Sequence, residues 1–447
     1  MRVNTPKSPR HIAVDILCRV RKDGAFSDIS LNNQFAKHDL ALIDKAFISE
    51  LIHGSIRWRG RLEWLVTQFY QGDYKTCPLP IKAILETGLY QIDYMTKTPG
   101  FAAVNEAVSL AKKLKGQYWA NRVNAILRTY LRNRASIQFP DEAIDPIKAI
   151  SVGYSHPEWM VKRWIERYGI EETRSLCSAN NKIPNLTLRI NPMQTTPANL
   201  MRELEDAGIA VENEGILDNF VKLKKATDLT TLVSFNKGQF SVQDISAGLV
   251  GILADPWEGE LIIDMCAAPG GKTTHLAEMT RCRSRIIAID RSWQRLNLLR
   301  QNVQRLGLYN IHLVQADATT VAARQAHLVL LDTPCSGLGV LSKRSDLRWK
   351  RNETDIKDLA ELQLLCLENA SRLVIPGGHL IYSTCTIEPE ENEEIIEKFL
   401  ARHRGYSLVL PPSRIPEKFV TDAFFIRTFP HKHEIDGSFA VKLQRNA

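Results

Sequence analysis

Two short stretches of this chain pair a cysteine with residues suited to group transfer. Asp332-Thr333-Pro334-Cys335-Ser336-Gly337-Leu338-Gly339 puts a carboxylate three residues before a thiol, and Ser383-Thr384-Cys385-Thr386 supplies a second thiol. A thiolate is a strong nucleophile. A third stretch, Asp264-Met265-Cys266-Ala267-Ala268-Pro269-Gly270-Gly271-Lys272-Thr273, carries paired glycines. They let the backbone turn sharply and come close to a ligand, while the helix that follows offers its N–H groups to an anion. Asp290 lies 20 residues after Gly270, the usual place for an acid that holds a ribose diol. Asp317 stands ready to accept from an adenine amino group, with helix N-capping as its structural alternative. Gly-Lys-Thr suggests a nucleotide-binding P-loop, but that motif needs a glycine where Cys266 stands. Gly-x-Gly-x-x-Gly is also absent, so neither an NTPase nor a dinucleotide enzyme is indicated.

These residues need elements that bring them together. From Leu261 onward, apolar strands alternate with helices. Strands are predicted at Leu261-Ile263, Arg285–Asp290, Ile311–Gln315, His327–Leu331 and His379–Ser383. Helices are predicted at Lys272–Met279, Trp293–Leu306 and Leu359–Leu373. Such alternation predicts a parallel, doubly wound α/β sheet, whose ligands sit at the carboxyl ends of the strands. All the candidate residues fall at those ends. Loops there are not cores, so cysteines in them read as functional.

Upstream, residues 8 to about 135 read as all-helical, with apolar positions recurring at helical spacing in Ile12-Ala13, Ile16-Leu17 and Val20, and in Phe47, Leu51 and Ile52. A boundary is expected near Phe139-Pro140. Ser155-His156-Pro157 opens another helix, Leu186–Ile190 alternates like a strand, and Pro197–Ala207 reads as a helix ended by Gly208. The expected domains are a helical one over 1–140, linker helices and a small α+β (RRM-like) region over 141–245, and a Rossmann-like catalytic domain over 246–447.

The chain has 447 residues and a formal charge of +8. Residues 1–140 hold 21 Lys and Arg against 11 Asp and Glu, so the whole excess lies there. That concentration points to a polyanion partner. Basic and aromatic residues interleave at Arg57, Trp58, Arg59 and Arg61, a mixture suited to phosphate pairing with base stacking. More basics follow at Lys112, Lys113, Lys115, Arg122, Arg128, Arg132 and Arg134. The basic N-terminus (Arg2, Lys7, Arg10) precedes only a short apolar run containing Asp15, which does not fit a signal peptide. Nothing reads as a membrane span. The eight cysteines show no C-x-x-C spacing, so no metal site is expected, and a reduced, cytoplasmic protein is expected.

Residues 264–273, 332–339 and 384–392 resemble the motifs of RNA cytosine-5 methyltransferases, and the N-terminal helices, with Ala120-Asn121-Arg122-Val123-Asn124-Ala125-Ile126-Leu127-Arg128, resemble a NusB-like RNA-binding domain. Together they resemble the RsmB (Fmu/Sun) family, which methylates a cytosine in bacterial small-subunit rRNA. The resemblance implies S-adenosylmethionine as cofactor and ribosomal RNA as partner for a monomeric enzyme. It gives Cys385 the role of nucleophile on cytosine carbon 6, Cys335 that of assisting release, and Asp332 that of holding the base edge. It also implies a cofactor site from Cys266, Ala267, Ala268, Pro269, Gly270, Gly271 and Lys272, with Asp290 on ribose, Asp317 near adenine, and Asp332 alongside. Thr333, Leu338, Thr386 and Arg344-Ser345 depart from the family pattern without removing a reacting group. A tRNA enzyme of the same superfamily, a DNA cytosine-5 methyltransferase and a non-catalytic RNA-binding assembly factor are the competing readings. The DNA enzyme does not account for Cys385, and the intact Asp332, Cys335 and Cys385 argue against the assembly factor.

Overall fold

A computed structural model of the protein describes residues 7–224 and 228–447; Arg2 lies outside them. The chain divides into two compact units, Met1–Asn181 with Arg344–Lys350, and Lys182–Lys343 with Arg351–Ala447.

The first unit is helical. Its helices start and stop where local chemistry permits. Ser8 caps the helix Pro9–Asp23 by accepting from the His11 N–H, and Gly24 ends it with a left-handed φ of 63°. One apolar core gathers Ile12, Ile16, Ile48, Leu51, Ile52, Leu89, Val104, Val123 and Leu127, the periodic positions expected of amphipathic helices. The expected boundary near 140 is not where the compact units divide. Helices Pro146–Tyr154, Glu158–Tyr168 and Ile170–Ala179 go with the first unit, because they are tied to it by polar contacts that no local pattern announces. The Arg61 guanidinium donates to the Gly153 carbonyl at 3.2 Å, and the Gly60 N–H to Ser155 Oγ at 2.9 Å. Arg348 is fully buried in the same unit and donates to the Ser155 and Asn180 carbonyls and to Asn181 Oδ1.

The basic residues of this unit sort into two kinds. Arg59 pairs with Glu63, Arg61 lies over the Phe139 ring, and Trp58 stacks on Tyr94. That interleaved cluster is therefore engaged within the fold. Lys112, Lys113, Lys115, Arg128, Arg132 and Arg134 are exposed.

The second unit holds two sheets. The smaller comprises β1 (Leu186–Ile190), β2 (Val211–Asn213), β3 (Phe220–Leu223) and β4 (Phe240–Val242), all antiparallel, in the order β2-β3-β1-β4. The helix Pro197–Asp206 packs on it through Leu200 and Leu204. The larger sheet comprises β5 (Leu261–Met265), β6 (Arg285–Asp290), β7 (Ile311–Gln315), β8 (Ala326–Asp332), β9 (Val374–Thr384), β10 (Tyr406–Leu408), β11 (Ile426–Thr428) and β12 (Ser438–Arg445). Its order is β10-β12-β9-β8-β5-β6-β7, with β11 beside β12.

Strands β5 to β9 pair in parallel, as the alternation predicts. The sheet is nevertheless mixed, because β12 runs antiparallel to β9, β10 and β11. Both faces are covered: Ile262, Leu328, Leu330 and Ile381 enter one core, and Ile263, Val329, Leu331 and Tyr382 the other. Burial on both sides explains why these strands read as unbroken apolar runs. The order of connection switches at β5, which has β6 on one side and β8 on the other, and ligands of such sheets bind at the carboxyl ends of the strands at the switch point.

Candidate active site at the strand ends

The turn after β5 is shaped by packing. Gly270 has φ +105°, and a Cβ there would lie 2.1 Å from Leu299 Cδ1, so only glycine fits. Gly271 is different. A Cβ there would meet only Gln243 at 3.6 Å, so the fold leaves space beside it for a close-approaching group. Asp290, 3% exposed, braces the turn by accepting from the Ala268 N–H at 3.1 Å and the Ser292 N–H at 2.9 Å. Arg295 completes the brace by donating to the Ala268 carbonyl. Beneath the turn, Asp264 accepts from the Thr273 hydroxyl at 2.5 Å through Oδ2, while its buried Oδ1 has no donor among the described residues. Burial pushes that carboxyl up to about 7.

A cofactor with an amino acid end and a nucleoside end suits what these residues present: an open backbone turn, an unsatisfied buried oxygen and a carboxylate at the end of the next strand. Asp317 lies two residues past β7, is exposed, and accepts from the Thr319 N–H and hydroxyl at 2.8 and 2.7 Å. Its immediate work is thus to shape the turn. The Cys266 thiol faces Cys366.

Opposite the turn stand the reacting candidates. Cys335 Sγ and Cys385 Sγ are 3.1 Å apart, and the Cys385 N–H donates to Cys335 Sγ at 3.3 Å. The hydrogen bond to Cys385 and burial hold the Cys335 thiol well above its ordinary range. Asp332 ends β8. It accepts from the Ser383 hydroxyl at 2.8 Å and pairs with the Lys272 ammonium at 2.7 Å. Burial opposes the charge on Lys272, but Asp332, and after it Cys385 and Asp264, hold its pKa above the ordinary value. One cation thus serves both a carboxylate and the neighbourhood of a thiol. A nearby ammonium favours a thiolate.

The two cysteine loops are locked to each other by a buried network. Glu391 accepts from the Ser336 N–H at 2.8 Å and from Gln363 Nε2 at 2.9 Å. Asn392 accepts from the Thr384 hydroxyl at 2.6 Å and donates to the Thr386 carbonyl. Arg351 donates to the Cys335 and Ser336 carbonyls, each at 3.1 Å. Gly339 lies so close to Gly437 that a Cβ would come within 2.0 Å of its carbonyl oxygen. Of the positions that depart from the family pattern, Thr386 bonds the Ser336 hydroxyl at 2.8 Å, Leu338 is fully buried, and the buried Thr333 hydroxyl finds no partner among the described residues.

The structure therefore brings Lys272, Asp332, Cys335 and Cys385 together, with the Gly270-Gly271 turn beside them, and puts Asp317 on the surface. The sequence reading missed the Lys272–Asp332 pair and the bracing by Arg351, Glu391 and Asn392. Lys272 was legible only as part of the turn, because its partner lies sixty residues away in sequence. Arg351 carries no local signal. Among the described residues, no group of three or more His, Cys, Asp or Glu is arranged to hold a metal, and no helix is long and apolar enough to cross a membrane.

Comparison with known proteins shows which families the chain resembles. The 16S rRNA methyltransferase RsmB/F family model matches residues 251–444, the NusB family model residues 7–132, and a ferredoxin-like domain model of RsmF/B-like methyltransferases residues 156–230. A probable ribosomal RNA small subunit methyltransferase B from Bacillus subtilis is 33% identical over 446 residues, 98% of this chain and 99% of the relative. Its counterpart from Synechocystis is 36% identical over 450 residues, again 98% and 99%. Among solved structures, PH0851 is similar with a TM-score of 0.84 and 26% identity, over 99% of this chain and all of that one. NSun6 from Pyrococcus horikoshii, solved with SFG, is similar with a TM-score of 0.60 and 25% identity, over 65% of this chain and 98% of its own.

Proposed function

Because this chain belongs to the 16S rRNA methyltransferase RsmB/F family, we propose that it forms 5-methylcytosine in 16S ribosomal RNA through a covalent bond between Cys385 and carbon 6 of the target base. The observation that carries the reading is the meeting of two thiols, 3.1 Å apart, beside an Asp–Lys pair at the strand ends. S-adenosylmethionine, when bound, supplies a methyl group on a positively charged sulfur. Gly270, Gly271 and the backbone of 266–272 would hold its methionine end, Asp290 its ribose and Asp317 the adenine side.

The chain's own residues then do the rest. Carbon 5 of cytosine is a poor nucleophile. The Cys385 thiolate adds to carbon 6, and the electrons of the 5,6 double bond move to carbon 5, making it the nucleophile that would take the methyl group as the cofactor's sulfur kept the pair of the broken bond. Asp332 accepts from the amino group on the base edge, and Lys272 keeps Asp332 and Cys385 in register. The carbon 5 proton passes to solvent water, its bonding pair re-forms the 5,6 double bond, the carbon–sulfur bond breaks and Cys385 leaves as the thiolate; the Cys335 thiol, 3.1 Å from it, assists by hydrogen-bonding the departing sulfur. The base must leave its stack to reach such a pocket.

The exposed lysines and arginines of the helical unit dock the RNA backbone, so affinity falls as salt rises. In this reading the protein works as a monomer in the cytoplasm. The experiment is methyl transfer from labelled S-adenosylmethionine to 16S rRNA, followed by base mapping. Label in 5-methylcytosine supports the reading; label in tRNA alone redirects the substrate, and no label returns the assembly-factor alternative.

A further inference from the structure

Strand β1 carries an arginine on the face its alternation assigns to solvent. In the structure Arg189 is 1% exposed. Leu188 and Ile190 point into the small sheet's own core, and Arg189 reaches the helix Gly271–Met279 instead. All five of its N–H groups find acceptors. Nε and Nη2 donate to the two oxygens of Glu278, both at 2.8 Å; Nη1 donates to Gln243 Oε1 at 2.5 Å and to the Gly271 carbonyl at 2.7 Å; Nη2 also donates to Thr274 Oγ1 at 2.9 Å. Glu278 is itself 2% exposed. A planar fork suits such a bidentate clamp, and lysine cannot reproduce it.

The clamp spans the helix from its first residue to its last turn. Gly271 is the second glycine of the ligand-facing turn, and the next residue is Lys272, whose ammonium holds Asp332. We propose that Arg189 is a positioning residue for methyl transfer: through it the ferredoxin-like insert fixes the helix that carries the cofactor turn, and so sets cofactor affinity. The insert then has a task in catalysis beyond any contact with RNA. The inference rests on reading Gly270–Lys272 as the cofactor turn.

The test titrates S-adenosylhomocysteine into the full-length protein and measures KM and kcat for methyl transfer. Three variants are compared: Arg189→Lys, the double variant Arg189→Met with Glu278→Met, and Gly270→Ala as a control on the turn itself. Arg189→Lys keeps a cation for Glu278 but gives up the fork. The double variant removes both buried charges together, which proteins commonly tolerate, and still deprives Gly271 and Thr274 of their donor. Both are expected to raise the cofactor Kd and KM by about 10-fold, with kcat at saturating cofactor within about twofold and the RNA KM unchanged. A double variant that melts like wild type and binds cofactor with wild-type affinity would overturn the proposal, since Arg189 would then do no more than neutralise Glu278. Gly270→Ala separates the two layers. If it weakens binding while the Arg189 variants do not, only the positioning role falls. If it too leaves affinity unchanged, the cofactor turn itself is misassigned.

Discussion

Cys335 and Cys385 meet across the ends of β8 and β9, while Cys266, at the end of β5, meets Cys366 on the helix Glu353–Arg372. Both are pairs of free thiols associated with the same sheet. Their surroundings differ. Cys366 is buried with Ile263, Met265 and Leu367 in an apolar core, and Cys266, itself half-buried, packs against that core; the hydrogen bond to Cys366, then burial, hold the Cys266 thiol far above its ordinary range. Cys335 and Cys385 are half-buried, lie beside a charged lysine and a carboxylate, and have their loops fixed by Glu391, Asn392 and Arg351. Closeness of two sulfurs is therefore not what makes a site. The polar frame around one of them is.

The largest expected difference is between the two strand-end cysteines that face different pairs. Cys385→Ala should lower methyl transfer by on the order of 10³-fold or more, measured with labelled S-adenosylmethionine, with cofactor affinity unchanged. A Cys385→Ala enzyme that retained a tenth of its activity would dissolve the contrast at once.

Next is Lys272→Met, which takes the cation from the reactive pair while filling similar space. Transfer should fall by about 10²-fold. The rate should also require higher pH, because without the ammonium the Cys385 thiol ionises less readily. A pH–rate profile that kept its wild-type shape would remove Lys272 from that role.

A smaller effect concerns the ground beneath the turn. The Asp264 carboxyl rises from 3.8 to about 7 on folding. A group raised in this way favours the fold fully below its unfolded value, and that contribution is lost as pH climbs through the folded one. Between pH 5 and 8 wild-type stability should decline relative to Asp264→Asn, by a few kcal/mol at most. Urea unfolding at pH 5, 6.5 and 8 measures it; parallel curves for the two proteins would place the titration elsewhere.

The smallest effect is expected for Cys266→Ala. It removes a thiol that faces a core neighbour, so transfer should stay within about threefold and stability within ~1 kcal/mol of wild type. A severe loss of transfer in a well-folded protein would mean that the apolar pair, too, takes part in the reaction.

The contrast also shows what a sequence can disclose. Strands β6 and β7 fall at their expected residues, because apolar runs and helical spacing are local signals. The helix expected from Leu359 begins at Glu353, where Asn352 and Asp355 form a capping box; that signal was present in the sequence and went unused. Strands β10 to β12 escaped because their pairing is antiparallel and β10 and β11 have only three residues each. Arg344–Lys350 shows no local sign that it belongs with the helical unit, since Arg348 is held by groups more than 160 positions away. Likewise Arg189 looks like a solvent-facing residue until the helix that covers it is in place. At the site, residue types and strand-end positions were legible. Pairings were not, because each joins residues distant in the chain.

The central claim is the division of labour between Cys385 and Cys335, and one gel tests it. Wild type, Cys335→Ala, Cys385→Ala and the double variant are incubated with RNA and S-adenosylmethionine, then run under denaturing conditions. Attack at carbon 6 precedes methylation and release follows it, so Cys335→Ala should accumulate a slow-migrating protein–RNA band that is absent from Cys385→Ala and from the double variant. A band in Cys385→Ala and none in Cys335→Ala would contradict the assignment and make Cys335 the nucleophile.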